Sequence, residues 1–236
     1  MTLPGDGGPH PESLGPALIA AMAAIHARGW CDGTGGNFSC VLQREPLQLL
    51  MAPSGVDKGS VQPDELIVVD ECGAVLQGWG RASAETLLHL EIVRRCGAGA
   101  VLHTHSQAAT LLSARALKAA VPVTPSPIGV THLEIKGLEM LKGLDGVTTH
   151  ETSIAIPVLA NDQDLGRLSA AASIHLADAP QGLLIAGHGL YAWGRDLFSA
   201  KRHLEVLEFL LEQHWRCWQM EMVTLLTGNQ TAQNHG

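Results

Sequence analysis

The segment GAGAVLHTHS carries two histidines, His103 and His105, and their spacing gives them chemical interest. Side chains two residues apart on a strand leave the same face, so both imidazoles would be presented to one side, as chelation of a single metal ion requires. Two unrelated polar residues at a strand end would spell the same letters, so a third donor is needed. His188, set between Gly187 and Gly189 after an apolar strand, supplies one, because the glycines leave room for close approach of the turn. Taken alone it reads equally as an ordinary turn histidine. Three neutral imidazoles with no CxxC pair describe an open site, the kind that keeps a coordination position for water or substrate.

A second set of residues suits an anion. GTGGN, with Gly35, Gly36 and Asn37, is a glycine-rich loop between a helix and a strand, and such loops turn successive N–H groups toward a phosphate. No GK[ST] follows, so it is not a Walker motif. PSGVDKG adds Ser54, Gly55 and Lys58, and Ser83 stands at the start of a helical segment, where the helix dipole favours negative charge. Each piece alone is compatible with a plain turn or cap; together they suggest a phosphate clamp. The acid/base candidates are Glu85, in the first turn after Ser83, and Glu134 in THLEIKG, a segment in which we read no periodic apolar pattern. Spacing does not say which of the two reaches a substrate. His26, His89, His132, His175, His203 and His214 read as surface or loop residues, and Trp215 with Trp218 as packing or interface.

Composition bounds these readings. The chain has 236 residues, 46% hydrophobic and 16% charged, which suits one folded domain. A formal charge of −8 argues against nucleic-acid binding through backbone neutralisation. Twelve histidines, against 15 Lys and Arg, are the unusual count. Five scattered cysteines without a CxxC pair suit reduced thiols and a cytoplasmic location, and no apolar stretch approaches the roughly 20 residues of a membrane span.

The elements that must carry the candidates follow from pattern. Residues 13–28 predict a helix, 37–42 with 47–51 a hairpin, and 66–69 with 74–76 a second hairpin. A helix is expected from Ser83 to Gly97, then a strand over 100–102 and a helix over 107–120 that leads into the Pro-rich VPVTPSP loop. Residues 154–159 read as a strand. Asn161 and Asp164 read as a capping box for a helix ending near Ala177. Strands over 183–186 and 190–193 bracket GHG, and Asp196 caps a long helix with Leu204, Leu207 and Leu211 on one stripe. Helices alternating with hairpins predict a three-layer α/β/α fold with a mixed, mainly antiparallel central sheet. The expected organisation is a flexible start (1–12), one domain (13–227) and a flexible tail (228–236).

In this order and spacing, GTGGNFS, MAPSGVDKG, SAETLLH, GAVLHTHS, THLEIKG and GHGLYAWG resemble the class II aldolase and adducin-type superfamily over residues 13–213. Within it the likeness is to the branch of dehydratases that take water from 5-methylthioribulose 1-phosphate in methionine salvage. The resemblance implies one Zn2+ per subunit on His103, His105 and His188, and a substrate phosphate near Gly35, Gly36, Asn37, Ser54, Gly55 and Ser83. Glu134 is implied as the acid/base of the dehydratases, and Glu85 matches the base of the aldolases. A small phosphorylated ketose substrate is implied, with no nucleic-acid or membrane partner, and a homo-oligomer, a tetramer by likeness, with sites near subunit boundaries. Two alternatives stand beside the dehydratase: a sugar-phosphate aldolase or 4-epimerase, and a non-catalytic interaction module of the adducin type.

Overall fold

A computed structural model describes residues 11–120 and 128–233; the crowded start of the chain before Pro11, the VPVTPSP stretch and the last three residues lie outside the described residues. The first helix, α1 (Pro11–His26), begins two residues before Ser13 and buries Leu14, Leu18, Met22 and Ile25 along one stripe. Two hairpins follow: β1 (Asn37–Arg44) with β2 (Leu47–Met51), and β3 (Ile67–Val69) with β4 (Val75–Gln77). Then come α2 (Thr86–Cys96), β5 (Ala100–Thr104) and α3 (Gln107–Ala119), in the order the sequence predicts.

THLEIKG departs from that reading. It lies in a seven-residue strand, β6 (Val130–Lys136), which pairs along its whole length with β7 (Ser153–Leu159). Leu133 and Ile135 point into the core while His132, Glu134 and Lys136 stay exposed, so the period-2 pattern is present but short and interrupted by charge. The next helix, α4 (Leu165–Ser173), is capped by Asp164 rather than Asn161: the Asp164 carboxylate accepts the Arg167 N–H at 3.0 Å. It also stops short of Ala177. β8 (Gly182–Ile185) and β9 (Gly189–Gly194) form the expected hairpin, and α5 (Leu197–Gln233) opens with Asp196 accepting the Ser199 N–H at 2.7 Å. α5 runs past Thr227, where the apolar stripe ends in the sequence.

The nine strands make one sheet in the order β4-β3-β2-β1-β5-β9-β8-β7-β6. Every neighbouring pair is antiparallel except β7 with β8. Helices α1, α3 and α5 cover one face, where Leu18, Met22, Leu112, Leu204 and Leu207 meet Phe38, Leu102 and Leu184. Helices α2 and α4 cover the other, where Leu88, Ile92, Leu168 and Ala172 meet Leu49, Val101 and Leu183. This is the three-layer α/β/α arrangement. Each such leucine removed from water contributes about 1.5–3 kcal/mol, so the two cores give the sheet its rigidity as a platform.

Candidate active site and metal centre

Three loops converge where β5 and β8 end and β9 begins. His103 is the fourth residue of β5, His105 follows the strand directly, and His188 occupies the turn between β8 and β9. That turn lies hard against β5: a Cβ on Gly189 would fall 1.9 Å from the Thr104 carbonyl oxygen, so only glycine allows the approach. On the other side the glycine-rich loop closes in, with Gly36 at φ 78° and a hypothetical Cβ only 2.8 Å from the His103 carbonyl.

The side chains then meet. His103 Nε2 and His105 Nε2 are 2.8 Å apart, and His188 Nε2 stands 2.8 Å from Glu85 Oε1, which is 3.7 Å from His103 Nε2. One ligand atom from each of these four residues lies within 4.8 Å of the others. His103 Nδ1 is 2.9 Å from the Leu190 carbonyl, which can only accept, so Nδ1 carries the proton and Nε2 turns a bare lone pair toward the cluster. Three imidazoles and a carboxylate facing one point fit a divalent transition metal.

The protonation states agree with that fit. Burial pushes the His103 imidazole well below its usual range, with His105 and His188 adding to the effect against Glu85, and burial likewise lowers His105. For Glu85, burial works to raise the pKa, but the hydrogen bond from His188 and the fields of His103, His188 and His105 outweigh it and hold the carboxyl at about 2. Its second oxygen accepts from Asn37 Nδ2 and from Ser83 Oγ at 3.2 Å. Behind His103 the ring of Tyr191 stacks at 3.9 Å, and Tyr191 in turn meets His89 edge-on. His89 and His203, read as surface residues, are in fact fully buried: His89 Nδ1 is 2.7 Å from Ser39 Oγ, and His203 Nδ1 is 2.7 Å from the Trp193 carbonyl. Both sit on helix faces with apolar neighbours, and a polar letter there hid its burial.

A cleft of about 650 Å³ opens beside the cluster, lined among others by Ser54, Arg81, Ser83, Glu85, His188 and Asn161. Ser54 and Ser83 are therefore brought to the cluster, and Gly35 packs against His105, where a Cβ would meet its Nδ1 at 3.0 Å. Ser83 is not the helix cap; Glu85 holds that position and Ser83 lies in the preceding turn. Lys58 is 1% exposed, and its ammonium donates to the carbonyls of Thr34 (3.2 Å) and Val56 (2.8 Å), tying the glycine-rich loop to the Ser54–Gly55 turn. Arg81 went unnoticed in the sequence; a cation two residues before Ser83 was its signal.

Glu134 is not brought in. It is exposed on β6, the edge strand, four sheet positions from β5, or about 19 Å at the usual strand spacing. It also lies well down the strand from Val130, the residue nearest the cluster's end of the sheet.

Residues 16–215 match the Class II Aldolase and Adducin N-terminal domain. The chain is 42% identical to the methylthioribulose-1-phosphate dehydratase of Serratia proteamaculans over 83% of its own length and 91% of that protein's. It is 41% identical to the protein of the same name from Granulibacter bethesdensis, over 85% and 90% respectively. Among solved structures, the L-fuculose-1-phosphate aldolase of Thermus thermophilus superposes with a TM-score of 0.67 at 25% identity, covering 89% of this chain and 98% of that one.

Proposed function

The chain belongs to the class II aldolase and adducin family, and from that membership we propose that it is a hydro-lyase removing water from 5-methylthioribulose 1-phosphate. The product is 2,3-diketo-5-methylthiopentyl 1-phosphate, in the cytoplasmic route of methionine salvage. The observation that carries the reading is the convergence of His103, His105, His188 and Glu85 on one point at the mouth of a polar cleft.

His103, His105 and His188 would hold one Zn2+, which supplies Lewis acidity to polarise the substrate's C2 carbonyl when bound. Ser54 and Ser83, with N–H groups of the Gly35–Gly36 loop, bind the phosphate, and Lys58 fixes the two loops against each other. Glu134 takes the C3 proton. The C4–O bond breaks, hydroxide leaves with a proton returned from the same carboxyl as water, and the enol left at C3 tautomerises to the diketone. Because its own sheet holds Glu134 far from the cluster, the reading requires Glu134 from a neighbouring subunit, in keeping with a homo-oligomer, as a tetramer would allow. No helix among the described residues is long and apolar enough to cross a membrane.

Replacing Glu134 with Gln should leave zinc bound while turnover falls by about 10²–10⁴-fold, measured by product formation from methylthioribulose 1-phosphate. Undiminished turnover would overturn the assignment. A sugar-phosphate aldolase is the second reading, favoured by the contact of Glu85 with His188. Release of dihydroxyacetone phosphate from fuculose 1-phosphate, with no dehydration, would establish it instead.

A further inference from the structure

The cluster has a front and a back. On an extended segment neighbouring side chains alternate, so while His103 and His105 face the cleft, Thr104 and Ser106 face α5. There they meet Glu208, a carboxylate on the buried side of α5 that is only 2% exposed. Thr104 Oγ1 donates to Glu208 Oε1 and Ser106 Oγ donates to Glu208 Oε2, each at 2.5 Å. Both carboxylate oxygens are thus taken, and the two donors are the residues immediately before and after His105.

The surroundings leave this turn little freedom. Ser106 Oγ also accepts the Ala109 N–H at 3.1 Å as the cap of α3, which fixes the direction in which its proton points. The His105 N–H donates to the Trp30 carbonyl at 2.7 Å from the opposite side. Glu208 lies beside Leu204, Leu207 and Leu211, all fully buried, where an apolar side chain would cost nothing in desolvation. A buried carboxyl is costly unless it is hydrogen-bonded, and here the partner of each oxygen is one of the two neighbours of a candidate ligand.

We propose that Glu208 is a positioning residue for the metal centre: by clamping Thr104 and Ser106 from behind, it sets the direction in which His103 and His105 present Nε2. The inference rests on the three-histidine reading given above. Orientation of ligands by a surrounding hydrogen-bonded shell is worth about 10–100-fold in metal affinity, and Glu208 acts one residue removed, through the backbone between its two partners.

The experiment is a zinc titration of the purified full-length protein against a chromophoric chelator, with thermal unfolding of the metal-free forms recorded alongside. Glu208→Gln replaces one accepting oxygen with an N–H donor, so that only one of the two hydroxyl contacts keeps its direction, and should weaken zinc binding by about 10–100-fold in a folded chain. If that variant does not fold, Thr104→Val and Thr104→Ser carry the test. The first removes the donor and should weaken zinc; the second keeps the hydroxyl and should retain the parental affinity. Parental zinc affinity in a folded Glu208→Gln, or in Thr104→Val, would overturn the proposal and leave Glu208 a purely structural link between α5 and β5. A parent chain that binds no zinc would overturn the metal-centre reading beneath it, a distinct result.

Discussion

Enclosed between Ser39 and the ring of Tyr191, His89 stays neutral in the folded chain, because burial pushes its imidazole from 6.5 down to about 4. The unfolded chain takes up that proton near 6.5, so the associated stability is complete above this pH and is lost as pH falls toward 4. Between pH 7 and pH 5 the parent should therefore lose ~2 kcal/mol more than a His89→Gln variant, read from melting curves of the metal-free proteins. Equal losses would remove His89 from the acid response. Such a residue shows how far single letters can be read. HxH and GHG disclosed three members of the cluster because spacing on a strand and glycines in a turn dictate direction locally. His89 and Glu208 stayed hidden, since a polar letter within a helix says nothing about whether its face is covered until the partner strand is known.

The turn carrying His188 illustrates what secondary elements contribute. Its reach depends on β9 lying against the end of β5, and the contact at Gly189 is with backbone, which cannot swing aside as a flexible side chain could. Gly189→Ala should destabilise the chain by about 1–3 kcal/mol or more and displace His188, lowering zinc affinity along with the melting temperature. A variant that keeps both would show that the hairpin has slack. Most elements were legible from apolar period and glycine stops. β6 was not, because three of its seven residues are His132, Glu134 and Lys136, and the alternation of Leu133 with Ile135 is too brief to stand out beside a proline-rich stretch. The cap of α4 slipped by three residues for a similar reason: Asp162 is engaged with Arg167 at 2.6 Å, and several acidic or amide letters compete within one short loop.

Assembly is where a single chain's letters run out, since neither strand order nor the distance from β5 to β6 is written in local pattern. With Glu134 far from the histidines of its own chain, complementation between inactive variants becomes a direct measurement. Mixed and re-equilibrated Glu134→Gln and His188→Ala proteins should regain about one quarter of parental activity, as random pairing of intact halves across an interface dictates. Mixtures as inactive as their components would mean that each chain supplies its own acid/base group.

The two outer strands also solve a problem unrelated to catalysis. An exposed sheet edge is a template for indefinite pairing, and β4 avoids it by being three residues long. β6 is seven residues long, and among the described residues no further strand pairs with its outer side; what interrupts it is the row His132, Glu134 and Lys136. The polar letters that kept this strand from being recognised in the sequence are exposed along the edge of the folded sheet, where charge such as that of Glu134 and Lys136 disfavours indefinite strand pairing.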